Sequence, residues 1–134
     1  MADAVDGFLA AVAPERQPEA EAVAHMVERI AAEPDITQVA DLARKLCVGA
    51  RQLERLFTHY VGVSPKWVIR LYRLHEAAER LTRLPCEPGT QAGTLAQLAA
   101  DLGYSDQAHF TRDFRSAAGR PPAKYATECR GAPC

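Results

Sequence analysis

Phe110 and Phe114 are four residues apart in the run GYSDQAHFTRDF, residues 103–114, and so share one face of a helix. At the α-helical period Ala108, Thr111, Arg112 and Arg115 then fall roughly 100° to 200° away, on the opposite face, with His109 at its edge and Ala117 back on the apolar side. A second run, ARQLERLFTHY (50–60), has the same build. Leu53, Leu56, Phe57 and Tyr60 line one face, Arg51, Glu54 and Arg55 the other, and Gln52 lies at the edge. Arginine can pair bidentately with guanine and glutamine with adenine. Glutamate can accept from cytosine, and threonine can touch a thymine methyl. Lys66, Arg73, Arg120, Lys124 and Tyr125 are placed at or near helix starts and loops. They suit contacts to phosphate, which position without specifying.

Other chemistries find less support. The four histidines, His25, His59, His75 and His109, are scattered over separate helices, and no Ser/His/Asp or Cys/His arrangement suggests itself. His75 reads as a partly buried structural residue. Cys47, Cys86, Cys129 and Cys134 form no C-x-x-C pair and keep no zinc-like spacing to a histidine. They read as reduced thiols. No enzyme activity, catalytic residue, metal or cofactor is expected. No apolar run is long enough to span a bilayer, and the start MADAVDGF lacks the basic n-region of a secretory signal. The expected setting is cytoplasmic, with no membrane partner.

An all-α fold of about seven helices must position these faces. Residues 1–17 form an acidic, linker-like segment. From Pro18 the positions Val23, Met26, Val27 and Ile30 repeat with helical spacing. Thr37 is placed to cap a helix that turns Val39, Leu42, Ala43 and Leu46 inward, and the helix at 50–60 follows. Ser64 and Pro65 are N-cap and first-turn residues for a long helix that runs to Leu84, where Pro85 stops it. At about 20 residues it spans about 30 Å. A loop at 85–94 leads to a helix at about 94–102, another at about 106–118 and a last short one begun by GRPPAKY. The expected organisation is therefore a first subdomain with the connecting helix at 18–84, a second subdomain at 95–128 and a tail at 129–134.

The two subdomains repeat each other. VADLARKL (39–46) aligns with LAQLAADL (95–102), and RLFTHYVGVSP (55–65) with RDFRSAAGRPP (112–122); the offset grows from 56 to 57 residues across the turn. Each copy is a helix, a short turn and a longer helix, the helix-turn-helix plan. Arg51, Gln52, Glu54 and Arg55 correspond to Ala108, His109, Thr111 and Arg112. Charge is segregated as well. Residues 1–35 hold two basic and eight acidic residues, a net of −6, whereas residues 36–134 hold 14 and nine, a net of +5. Local charge is what a polyanion feels, since salt screens beyond about 10 Å.

Residues 20–127 resemble the DNA-binding region of the AraC/XylS family of bacterial transcription regulators. LAADLGYSDQAHFTRDFRSAAGRPPAKY is the most specific stretch, and LERLFTHYVGVSPKWVIRLYRLHEAAERL fits as the first copy. The resemblance implies two helix-turn-helix subdomains on a long connecting helix, entering successive major-groove segments of double-stranded DNA. It places base-reading positions at Arg51, Gln52, Glu54 and Arg55, and at Gln107, Ala108, His109, Thr111 and Arg112. It adds RNA polymerase as a further partner. An effector-binding domain is expected to be absent from this chain, which then resembles the C-terminal part of a longer regulator. There are departures. Cys47 stands where the second copy has Gly103, and Gly49-Ala50 stands where a capping serine and a proline are familiar. The first copy is therefore expected to be the looser one, and Ala108 leaves the second with fewer polar groups for base edges. The alternative is a helical protein-interaction domain that has lost DNA binding.

Overall fold

The computed structural model describes residues 18–84 and 90–129, with the side chains of 90–92 excepted. The linker-like lead, Cys86 and Cys134 lie outside the described residues. Seven helices are described: α1 Pro18–Ala32, α2 Val39–Leu46, α3 Ala50–Tyr60, α4 Pro65–Leu81, α5 Thr90–Asp101, α6 Gln107–Ala118 and α7 Pro122–Cys129. No strand occurs among the described residues.

Local chemistry sets most helix ends. Ser64 Oγ accepts the Trp67 amide hydrogen bond at 3.1 Å, and Pro65 takes the first position of α4. Proline fits there because its missing N–H would be unpaired anyway. Asp106 caps α6 by accepting the His109 amide at 2.7 Å, and Gly119 ends that helix at φ 83°. The cap of α2 is Gln38 rather than Thr37. The Asp41 carboxylate reaches back to the amides of Thr37 and Gln38 at 3.1 and 3.0 Å, which moves the helix start one residue later than the threonine suggests. Two further boundaries differ from the sequence expectation. Helix α4 ends at Leu81, where the Thr82 hydroxyl donates to the Glu79 carbonyl at 2.6 Å. Its 17 residues span about 25 Å rather than 30. Helix α5 begins at Thr90, inside the segment expected to be loop.

Two apolar cores share α4. The first joins Val23, Met26 and Ile30 of α1, Leu42 of α2 and Leu53, Leu56 and Phe57 of α3 to Val68 and Ile69. The second joins Leu74, Ala77 and Leu81 to Leu95, Leu98, Ala99 and Leu102, Phe110 and Phe114 of α6 and Ala126 of α7. The first half of the connecting helix thus belongs to one unit and the second half to the other. Phe57 and Phe110 are fully buried and Phe114 is 2% exposed, as their spacing requires. Ala117 is exposed, whereas Ala118 is half-buried and packs on the second core. The apolar face of α6 is centred nearer Phe114 than Phe110, and that rotation turns Ala117 outward. His75 is exposed on α4, with Nε2 3.4 Å from Glu79, and is not part of a core.

Candidate nucleic-acid interface

The second helix of each unit buries its apolar stripe and leaves its polar face outside. On α3, Arg51, Gln52, Glu54 and Arg55 are all exposed. On α6, Ala108, His109, Arg112 and Arg115 are exposed, while Gln107 and Thr111 are half-buried at the margins of the stripe. The two sets are presented alike at Arg51 and Ala108, Gln52 and His109, and Arg55 and Arg112, and differ at Glu54, which is exposed, and Thr111, which is half-buried.

Their surroundings are not alike. Arg55 Nη2 donates to Glu19 Oε2 of α1 at 2.9 Å, and the Tyr60 hydroxyl donates to Glu19 Oε1 at 3.3 Å. The Arg55 hydrogen bond holds the Glu19 carboxyl below the usual carboxylate range. Arg112 has no ion-pair partner among the described residues. His109 is oriented at two points: its ring meets Tyr104 edge-on at 5.0 Å, and Nδ1 lies 3.5 Å from Ser105 Oγ.

Of the residues suited to phosphate, Lys66 is exposed at the start of α4. Arg120 ion-pairs with Glu128 and lies 5.8 Å from the Tyr125 ring centroid. Lys124 is 3.9 Å from the same carboxylate. Tyr125 is half-buried, edge-on to Phe114 at 5.2 Å. Arg73 is the exception. It is 3% exposed and donates through Nη2 to the Ile30 carbonyl in the last turn of α1. Burial lowers its pKa, and a guanidinium enclosed between α1 and α4 cannot reach a phosphate. Its position along α4, between Ile69 of the first core and Leu74 of the second, puts it inside the junction of the two units.

Between the units lies a cleft of about 620 Å³, walled by Thr37 and Gln38, by Lys66 and Arg70 of α4, and by Gly103, Tyr104, His109 and Asp113 of the second unit. Arg70 Nε donates to Asp113 Oδ1 at 2.7 Å, and the Tyr104 hydroxyl to Asp113 Oδ2 at 2.6 Å. Burial first, and then the Asp113 carboxylate, push the Tyr104 hydroxyl well above the usual phenol range. Gly103, at φ 86°, lies so close to Thr37 that a Cβ there would stand 2.5 Å from the threonine Cβ. None of Glu19, Arg70, Tyr104 and Asp113 stands out in the sequence as a site residue: Glu19 and Arg70 find their partners 36 and 43 residues away, and no helical spacing pairs Tyr104 with Asp113, nine residues on. Asp113 alone carries a hint, as an acid on the flank of α6 between its two faces.

Two helix-turn-helix units on one shared helix define a tandem helix-turn-helix DNA-binding domain. A family model of helix-turn-helix domains matches residues 42–128, and the chain belongs to that family, in its AraC/XylS branch. It is 28% identical over 91 residues to the HTH-type transcriptional regulator ArgR of Pseudomonas aeruginosa, a match covering 68% of this chain and 26% of that protein. It is 27% identical over 89 residues to the XylDLEGF operon transcriptional activator of Pseudomonas putida, covering 66% and 26%. It is 26% identical over 93 residues to the arabinose operon regulatory protein of Escherichia coli, covering 68% and 29%. The chain thus spans about a quarter to a third of the length of these curated relatives. The C-terminal domain of AraT, a response regulator from Geobacillus stearothermophilus, shares the fold, with a TM-score of 0.62 at 22% identity and 88% of each chain covered. Among the described residues no helix is long and apolar enough to cross a membrane.

Proposed function

We propose that this domain is the DNA-reading part of a bacterial, effector-responsive transcriptional regulator, with α3 and α6 entering successive major-groove segments of one duplex. The observation that carries the reading is the recurrence of the outward face. Two helices at equivalent positions in two units each bury an aromatic-aliphatic stripe and expose an arginine at the same register, Arg55 and Arg112. Arg51, Gln52, Glu54 and Arg55 read base edges in one segment; Gln107, Ala108, His109, Thr111 and Arg112 read the other. Lys66, Arg120, Lys124 and Tyr125 grip the backbone. The domain works by binding rather than by catalysis, in the cytoplasm, and the regulator it serves acts on RNA polymerase. The segregated charge supports this, since the net of +5 lies in residues 36–134, which carry both helix-turn-helix pairs, α2–α3 and α5–α6, while α1 falls in the acidic part.

The test is selection from a random duplex library, followed by titration of the selected site and a scrambled duplex over a range of salt. A recovered motif, with log affinity falling by about 0.9 per neutralised phosphate as log salt rises, is the expected result. No enrichment and a flat salt response would refute the reading and favour a protein-interaction domain.

A further inference from the structure

Two contacts cross between the units, Arg70 to Asp113 and Thr37 to Gly103, and a third, within the second unit, shares the same carboxylate. Asp113 projects from the flank of α6 with a side chain only 19% exposed. Each of its oxygens is taken by a different element. Arg70 of the connecting helix donates to Oδ1 at 2.7 Å, and Tyr104 of the turn before α6 donates to Oδ2 at 2.6 Å. Arg70 follows Ile69, which is 2% exposed in the first core, so it is fixed to the first unit. Across the same cleft Thr37, which leads into α2, sits against Gly103 of the second turn.

These contacts differ in kind from the core beneath α6. Apolar burial is roughly non-directional, so Phe110 and Phe114 hold α6 down without fixing its roll against α4. A carboxylate shared between a guanidinium and a phenol is directional and charge-assisted. We propose that the Arg70–Asp113–Tyr104 clamp sets the angle and separation of α3 and α6, and thereby the number of base pairs between the two sequence elements the domain accepts. Asp113 is a positioning residue, one step along the helix from the base-reading Arg112. The DNA consequence rests on the proposed reading; the orientation consequence does not. One inserted base pair moves the second element by about 3.4 Å and about 34° around the duplex. A rigid pair of helices cannot follow that movement, and a loosened pair can.

The experiment has two arms on the same proteins: the full chain, Asp113→Ala, Arg70→Gln and the swap Arg70→Asp with Asp113→Arg. The first arm measures backbone residual dipolar couplings without DNA. The full chain should fit one alignment tensor for both units, both single variants should need two, and the swap should return toward one. The second arm titrates duplexes in which the two selected elements are moved apart or together by one base pair. The full chain should lose about tenfold or more, the scale of one mismatched position. The single variants should lose less than about threefold while keeping the same base preference within each element. Arg70→Gln covers the case in which Asp113→Ala fails to fold, which its circular dichroism melt reports. A folded single variant that still fits one tensor in the original orientation, or keeps the full spacing penalty, overturns the proposal. If the full chain selects no motif, the DNA reading has failed, and the coupling arm alone decides on the clamp.

Discussion

The two helix-turn-helix units make the same left-handed turn with different residues, and the reason lies outside each turn. Cys47 adopts φ 54° and ψ 43°, whereas Gly103 adopts φ 86°. A side chain at such a position costs about 1–2 kcal/mol. Cys47 is exposed, with its thiol 3.8 Å from the Arg44 carbonyl, so the cost is conformational alone. Gly103 has Thr37 against it, so there the backbone and the space both require glycine. The helices that follow differ in the same sense. Gly49 precedes α3 and offers it no side-chain cap, whereas Asp106 caps α6. Arg55 is paired with Glu19, whereas Arg112 is open. The second unit is seated against the first at its turn and at Asp113. The first is only locally imperfect, because its turn meets no neighbour at that point.

The two units differ most in what the loss of one aromatic ring does to the second core. Phe114→Ala should cost about 3–5 kcal/mol and unfold α5 to α7 before α1 to α3, seen as a split denaturation curve. A single unchanged transition would show that the units do not melt separately and that Phe114 is not what holds the second. Gly103→Ala should cost about 2–4 kcal/mol, combining the left-handed penalty with overpacking against Thr37. Gly103→Ala in a Thr37→Gly background should recover the packing part, and an equal loss in both backgrounds would remove Thr37 from the explanation.

At the outward face, Arg112→Ala should weaken the selected site by about 1–3 kcal/mol and relax preference at one position. Equal losses on selected and scrambled DNA, with the salt slope reduced by about one, would make it a phosphate contact instead. Cys47→Gly should stabilise the first unit by about 1 kcal/mol, the relief of the left-handed residue less the added freedom of the unfolded chain. A lower melting temperature would contradict it. The smallest effect belongs to Glu19→Gln. Removing the carboxylate from Arg55 should tighten DNA binding modestly and steepen its salt dependence, without changing the melt appreciably, because both side chains are about half exposed. Unchanged binding would mean that the pair opens without hindrance.

Much of the fold was legible because its signals are local. The 3- and 4-residue spacing of Val23, Met26 and Ile30, the Ser64-Pro65 start and the Phe110–Phe114 stripe each depend on residues within a turn or two of one another. The helix borders that moved show where local reading weakens. Gln38 replaced Thr37 as the cap of α2 because the Asp41 carboxylate selected the start. The connecting helix stopped at Leu81 although the next proline is Pro85. The outward faces of α3 and α6 followed from period and repeat together.

Contact between segments far apart in the chain was not legible in the same way. Arg73 looked like a surface cation, yet its guanidinium lies 3% exposed beneath the Ile30 carbonyl, 43 residues away in sequence. Arg70 and Asp113 are also 43 residues apart, and Arg55 and Glu19 are 36 apart. By itself the sequence determined that there are two helix-turn-helix units and which face of each second helix is polar, because helical periodicity is a property of neighbours. Only the tertiary structure decided which arginines remain free, why one turn must be glycine and where the two units meet. Those outcomes depend on which surfaces meet when α4 is shared between two cores, and no spacing along the chain records that meeting.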